Sequence, residues 1–537
     1  MARRSLRARA ARFLPANGAD DSLRRWVLPA ALIGVVAGLG AVALFGLLHL
    51  CTGWLLESVA GYRPYRTTAE GGFRVLADSD HPWLVPLVAA GGALAATAFA
   101  VWLAPEARGH GTDAAIAAAH RDPAGMRGRV TVVKLVSSAL TIGSGGSGGT
   151  EGPAAQISAA FGSVIARRTG MSREQARTAL VIGLAAGVGA IFKAPFGGAL
   201  LGAELLYRRD MDARVLPKAL IASVAGWLVF GAFHGFGPAL GTHAGQGLGG
   251  VRGLVLVAVV GVAAGVAGRL YTVCFYAVHT RVEARARGTL SRIAAPTVAG
   301  LLVGGLGLLV PGVLGTGYGL MQALTSRQLL LDLPLLVVLA IPVAKIAGTA
   351  LTVGSGGSGG IFGPCMVVGA GVGAAVWRLA EPVGFAPGSP LVPVAVGMAA
   401  CLGAVAHAPL GVLVMVAEML GNASLLGPGI LAVLCAQAVT GGVTLYRSQV
   451  DRLVDEPGGR MGPPSPLRVK APEHRTVVSL VREPRPHTPE HRTVVSLVRE
   501  PRPHTPRAVK PTDHVAMAAK PTDHVPMVVK STDHVPD

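Results

Sequence analysis

Lys134–Pro153 reads KLVSSALTIGSGGSGGTEGP, and Lys345–Pro364 reads KIAGTALTVGSGGSGGIFGP. Thirteen of these twenty positions are identical, at a constant offset of 211 residues. A second matched pair follows at an offset of 214. Ala190–Leu206 reads AIFKAPFGGALLGAELL and Ala404–Leu420 reads AVAHAPLGVLVMVAEML, with Ala-Pro and Ala-Glu aligned. One plan is therefore written twice. Both copies are apolar and both are interrupted by Gly, Ser and Pro. Such interruptions at corresponding places in two halves point to a binding site at the repeat interface of a membrane protein.

The rest of the chain supports a lipid setting. Of 537 residues, 51% are hydrophobic and 14% charged, and mean hydropathy is +0.52. A soluble chain carries about 25% charged residues. Apolar runs long enough to approach a bilayer crossing, which takes roughly 20 residues, lie at Trp26–Leu50, Leu84–Leu103, Leu216–Phe233, Leu254–Val278, Pro296–Val310, Leu329–Val353, Val392–Val405 and Leu425–Val439. The first is too long for a signal peptide and lacks a small-residue cleavage pattern. Net charge is +19, concentrated in Arg3, Arg4, Arg7, Arg9, Arg12, Arg24 and Arg25 and again after Tyr446. These residues flank membrane segments, so the positive-inside rule accounts for them better than nucleic-acid binding does. Both termini are then cytoplasmic. Cys51, Cys274, Cys365, Cys401 and Cys435 have neither disulfide nor ligand spacing and read as small buried hydrophobes.

The expected architecture is all-α and polytopic. A basic arm occupies residues 1–25. A membrane domain spans 26–453, with repeats at about 82–235 and 251–446. A Pro- and His-rich tail fills 454–537. In that tail Pro472–Thr488 recurs unchanged at Pro489–Thr505, and KPTDHV, KPTDHV and KSTDHV begin at Lys510, Lys520 and Lys530. Its composition cannot build a core, so disorder is expected. Its seven histidines read as part of a duplicated solvated tail before they read as metal ligands.

A GSGGSGG run cannot continue a helix, whereas Pro153 and Pro364 suit the first turn of the next one. Each motif should therefore end one helix and open another inside the apolar domain. Helix N-termini present unsatisfied N–H groups and about half a positive charge. Two such ends meeting would hold an anion without a full cation. The weaker reading is that the glycines only permit close helix packing. Glu151 lies in the first motif, where a carboxylate is costly unless functional or paired. Either it occupies the anion site and swings away on protonation, or it merely complements its helix dipole. A phosphate loop is excluded, because Gly-x-x-x-x-Gly-Lys-Ser/Thr is absent. HExxH is absent, and no dense His/Asp/Glu cluster lies in the apolar segments, which argues against an enzyme. No cofactor or metal is implied.

These residues resemble the CLC family of chloride channels and chloride/proton antiporters. Gly149-Thr150-Glu151-Gly152-Pro153 resembles its G-[RK]-E-G-P motif, which holds the gating glutamate. Gly360-Ile361-Phe362-Gly363-Pro364 is similar to its G-x-F-x-P motif, whose amides bind the central anion. Tyr446 in GGVTLYRS is similar to the tyrosine that donates its hydroxyl to that anion. Lys134 and the Ala194-Pro195 and Ala408-Pro409 turns also match, and the likeness spans about residues 26–453. It implies a homodimer of all-helical subunits, each with its own pore built from two inverted repeats of short tilted helices in a cell membrane.

The chain also departs from the family pattern. Gly109-His110-Gly111-Thr112-Asp113 stands where G-S-G-I-P is common. His110 thus replaces an anion-contacting serine, and either alters selectivity or pH response or is a surface-loop histidine. Thr150 replaces a basic residue. Lys193 stands where asparagine is frequent, and either attracts anions at an aqueous mouth or only snorkels. Antiporters of the family often carry an inner glutamate directly after the one aligned with Glu204; here that position is Leu205. Glu204 and Glu418 read as structural, near helix ends, with Glu204 alternatively on a proton path. The expected function is chloride permeation of the voltage-gated chloride channel family with Glu151 as gate. The alternative is a proton-coupled antiporter of chloride or another small anion such as fluoride or nitrate. No Arg-rich voltage-sensor helix occurs, so any voltage dependence would come from the permeating ion and Glu151.

Overall fold

In the computed structural model of the chain, residues 23–68, 78–241, 248, 250–310 and 312–451 are described. Nearly all of the basic arm expected at 1–25 and the tail expected at 454–537 lie outside the described residues. The first half runs through α1 (Leu23–Cys51, continued by π-helical Thr52–Val59), then β1 (Tyr62–Arg63) paired antiparallel with β2 (Asp78–Ser79). It continues with α2 (Leu84–Leu103), α3 (Thr112–Arg121), α4 (Arg129–Gly143), α5 (Glu151–Thr169), α6 (Arg173–Ile191), α7 (Pro195–Glu204) and α8 (Leu216–His234). The second half runs through α9 (Val251–Arg285), α10 (Thr289–Leu309), α11 (Tyr318–Leu324), α12 (Arg327–Asp332), α13 (Leu335–Thr352), α14 (Phe362–Ala380), α15 (Leu391–Ala406), α16 (Pro409–Met419) and α17 (Leu426–Thr440). Eight helices among the described residues are long and apolar enough to cross a bilayer.

Local chemistry sets the ends. Ser172 and Gln175 form a reciprocal capping box at the start of α6. Pro195, Pro217 and Pro409 sit in the first turns of α7, α8 and α16, where a missing N–H costs nothing. Each Gly-Ser run ends a helix with a glycine in the positive-φ region, Gly145 at +111° and Gly356 at +103°. These are equivalent positions of the two repeats.

The packing is symmetric as well. α1 lies on α8, and α9 lies correspondingly on α17. Both contacts use Gly-x-x-x-Gly. A Cβ at Gly38 would come 2.6 Å from the Gly226 carbonyl oxygen, and one at Gly265 would come 2.7 Å from that of Ala436. In lipid, such close approach supplies attraction that the hydrophobic effect cannot. The outward faces of α1 and α9 are apolar and exposed, at Leu28, Leu32 and Leu39 and at Val255, Val259 and Val266. By contrast α15 is buried along its whole length, and α5, α6 and α14 along most of theirs.

A pseudo-two-fold axis passes between the two motifs. Gly149 and Gly360, equivalent residues, form an antiparallel bridge: the Gly149 N–H donates to the Gly360 carbonyl (2.8 Å) and the Gly360 N–H to that of Gly149 (2.7 Å). Ser147 bonds Thr349 at 3.1 Å, and the equivalent Ser358 bonds Ser138 at 2.9 Å. A reciprocal antiparallel bridge between equivalent residues is what a local two-fold relating the motifs produces.

Candidate functional site

Three chain segments converge at this crossing: the loop before α3, the start of α5 and the start of α14. A Cβ at Gly152 would meet the His110 carbonyl and come 2.9 Å from the Gly360 Cα, so only glycine fits there. The Gly109 carbonyl accepts from the Gly359 N–H at 3.4 Å. Gly109 and Gly111 lie at φ +71° and +83°. Gly109, His110, Gly111, Gly149, Gly152, Gly360, Ile361 and Phe362 are thereby gathered around one point.

Glu151 is the first residue of α5 and is buried. Its carboxylate reaches across to the other repeat. One oxygen accepts the Gly363 N–H in the first turn of α14, and the other accepts the Tyr318 hydroxyl. A Cβ at Gly360 would come 3.0 Å from this carboxylate and one at Gly363 2.9 Å. The motif glycines therefore clear its place. Phe192 closes the pocket, 5.9 Å from both Tyr318 and Phe362 between ring centres. Tyr318 was not among the residues singled out from sequence; it follows Gly315-Thr316-Gly317 as Thr112 follows Gly109-His110-Gly111.

Two buried lysines fix the two loops. Lys134 Nζ donates to the carbonyls of Ala107 (3.0 Å) and Gly109 (2.5 Å). Its repeat mate Lys345 donates to those of Val313 (2.9 Å) and Gly315 (3.0 Å). The first loop delivers His110 and the second delivers Tyr318. A cavity beside the second loop is lined by His49, Thr52, Tyr65, Arg66 and Gly315–Gly317. Arg66 is paired there with Glu57 at 2.7 Å.

Tyr446 lies beside the loop that carries His110. Its hydroxyl is fully buried and makes no hydrogen bond of normal geometry to a described residue, although the Thr112 hydroxyl lies close by. The His110 ring stands 5.9 Å from the Tyr446 ring, and its Nδ1 is likewise buried without a partner. The Tyr446 hydroxyl and His110 Nδ1 are two of several buried side-chain atoms without a hydrogen-bond partner of normal geometry among the described residues. The backbone around Tyr446 is held firmly. The Leu445 N–H donates to the Val405 carbonyl (2.7 Å), the Leu445 carbonyl accepts the Tyr276 hydroxyl (2.8 Å), and the Asp113 carboxylate accepts from both the N–H and the hydroxyl of Ser448 (2.8 Å each). Tyr271 anchors the second motif by donating to the Ile361 carbonyl at 2.6 Å.

Glu204 and Glu418 cap each other's helices. Glu204, ending α7, accepts from Leu410 (3.3 Å) and Gly411 (2.7 Å) at the start of α16. Glu418 in α16 accepts from Phe196 (3.1 Å) and Gly197 (2.7 Å) at the start of α7. Neither carboxylate reaches the crossing through these bonds. Lys193 has φ +53° and donates to the His234 carbonyl at 2.8 Å, as an ammonium capping the end of α8. His407, its repeat mate, has φ +52°. Ser147 and Ser358 stand in Gly-x-Ser-x-Gly stretches (145–149 and 356–360), but their hydroxyls bond Thr349, Ser137 and Ser138 rather than a histidine base. All five cysteines are free, with the Cys365 and Cys401 sulfurs 3.6 Å apart.

The sequence profile described as "Voltage gated chloride channel" matches residues 91–441, well over half the chain. The chain belongs to this family, the CLC family. A putative chloride channel protein ClcB-like from Ralstonia nicotianae is 32% identical over 330 residues, covering 59% of this chain and 72% of that protein. The voltage-gated ClC-type chloride channel ClcB of Shigella flexneri is 31% identical over 329 residues, covering 60% and 75%. Among solved structures, a slow cyanobacterial Cl−/H+ antiporter aligns with TM-score 0.64 at 22% identity over 78% of this chain and 96% of that one. A CLC-type fluoride/proton antiporter aligns with TM-score 0.65 at 18% identity over 80% and 98%. The CLC fold is thus shared across the membrane domain. Membership makes this a multi-pass membrane protein of anion transport and not an enzyme.

Proposed function

We propose that the protein passes chloride across the cell membrane along a path that Glu151 closes. The observation that carries this reading is the place of the Glu151 carboxylate, itself an anion, on the first-turn amide of α14. The Tyr446 hydroxyl and His110 Nδ1 are buried without a hydrogen-bond partner of normal geometry among the described residues. A helix N-terminus suits an anion with no fixed cation, so chloride competes with the carboxylate for the same dipole. Protonation removes the carboxylate's charge and with it the competition. The Ralstonia and Shigella relatives are named chloride channels, which supports chloride over fluoride or nitrate. Leu205 in place of an inner glutamate supports passive flow, and the imidazole at position 110 supports coupling to protons.

Arginines gather at four places between the helices. Arg108 and Arg127 flank α3, Arg167 and Arg168 end α5, Arg208 and Arg209 follow α7, and Arg285 and Arg287 lie at the end of α9. By the positive-inside rule these places and both termini face the cytoplasm. A homodimer with one path per subunit is part of the proposal. The test is chloride efflux from liposomes holding the purified protein, with external pH recorded. Wild type should release chloride in a pH-dependent way and Glu151→Ala without pH dependence. Gating by pH that persists in Glu151→Ala would remove the glutamate from the gate.

A further inference from the structure

A line of side chains graded in burial runs along one face of α9, three of them ionisable. Tyr271, Phe275, His279 and Glu283 are spaced four apart and so lie along one stripe of the helix. Tyr271 and Phe275 are buried, His279 is half-buried and Glu283 is exposed. The buried end touches the anion motif through the bond from Tyr271 to the Ile361 carbonyl. His110 joins the stripe from the side, its ring 5.8 Å from Phe275. The Phe275 ring stacks on His279 at 6.0 Å with an interplanar angle of 5°. Arg108, two residues before His110, reaches Glu283 at 3.5 Å. One imidazole thus stands beside Tyr446, a second lies one helical turn from the end of the stripe, and a carboxylate sits at the surface.

We propose that His279 and His110 form the inner proton route of this protein, taking protons from the face where Glu283 lies and carrying them to the anion site beneath Glu151. This rests on the reading of Glu151 as a protonatable gate. Imidazole is the side chain that both accepts and releases a proton near neutral pH. His279 takes a proton from water at Glu283 and passes it around Phe275, by way of water, to His110. His110 then releases it toward the crossing and returns to the neutral form. His110 meets the same Phe275 ring that His279 stacks on, and its buried Nδ1 has no hydrogen-bond partner among the described residues. The charged and titratable groups facing His110 are Asp113, Lys134, His279 and Tyr446. Asp113 is engaged by Ser448 and Lys134 by two carbonyls, Tyr446 is fully buried, and His279 is the one of these groups that lies on the stripe toward the surface. Around His279 stand Tyr276, Glu283 and Arg108, and its Nδ1 lies 3.3 Å from the Gly354 carbonyl. The route runs beside the anion path and needs no carboxyl at Leu205.

The experiment uses the full chain in liposomes under an outward chloride gradient, with chloride and proton movements recorded together. Chloride efflux from wild type should drive proton uptake. His279→Gln should cut proton movement at least about ten-fold, in line with loss of a positioned proton carrier, with chloride efflux retained. His110→Asn should abolish proton movement. Should His279→Gln fail to fold, His279→Asn serves the same purpose. Chloride efflux from wild type without proton movement, or proton movement undiminished in both His279 and His110 variants, overturns the proposal. Absence of chloride efflux from wild type would instead overturn the permeation reading itself.

Discussion

Replacing Tyr318 by Phe removes one oxygen and keeps the ring that packs 5.9 Å from Phe192. That oxygen is one of two donors holding the Glu151 carboxylate across the crossing, the other being the Gly363 amide. A hydrogen bond to a charged group contributes about 1.5–3 kcal/mol net. Its loss should shift the balance between seated and displaced carboxylate by about 10- to 150-fold, at 1.4 kcal/mol per decade. Chloride efflux from liposomes near neutral pH should rise in Tyr318→Phe, by up to that factor where the displaced state limits flux. The same substitution in a Glu151→Ala background should change nothing, because the carboxylate it acts on is gone. A double-mutant cycle isolates this pairwise energy. An equal effect of Tyr318→Phe with and without Glu151 would refute the argument and make Tyr318 a packing residue.

Tyr446→Phe removes a buried hydroxyl that has no partner of normal geometry, so stability without chloride should hold or rise, while the stabilisation that added chloride confers should fall; thermal unfolding with and without chloride reads both. Glu418→Ala leaves the inward Gly197 amide unsatisfied at about 1–3 kcal/mol for an orphaned buried donor, while the exposed Phe196 amide can turn to other partners, and Glu204→Ala should cost a similar amount by symmetry through Gly411. Chemical denaturation in detergent compares the two, and sharply unequal losses would count against the reciprocal caps. Gly145→Ala places a side chain at φ +111° with only ordinary contacts, 3.4 Å at closest to Leu56. Backbone strain alone should destabilise it by about 1–3 kcal/mol, measured the same way.

Much of this was legible because the repeats are written in nearly the same letters. Identical GSGGSGG runs lead to equivalent crossings, and Lys134 and Lys345 do the same work because their loops end in the same glycines. The short contacts between unlike positions were not legible. Tyr318 lies 167 residues from Glu151 and Asp113 lies 335 from Ser448, and no local pattern encodes which helix end meets which. Apolarity also misleads about surroundings. Val392–Val405 reads like a lipid-facing span, yet α15 is buried in protein along its whole length, since a side chain that avoids water is equally at home in lipid or in a protein core. The cysteines show the same limit: spacing gave no pair, while the fold brings the Cys365 and Cys401 sulfurs to 3.6 Å.

The exchange of caps between α7 and α16 has a bearing on how the protein is made. When α7 leaves the ribosome, the acceptor for its first amides is still more than 200 residues from being synthesised, since Glu418 lies 222 positions beyond Phe196. The early half must wait in the bilayer with an unfinished helix end, kept there by its own packing or by a chaperone of insertion. Completion then closes both halves at once, so assembly is cooperative across the whole chain. Two separately expressed halves should accordingly find each other in the membrane, each supplying the carboxylate the other lacks.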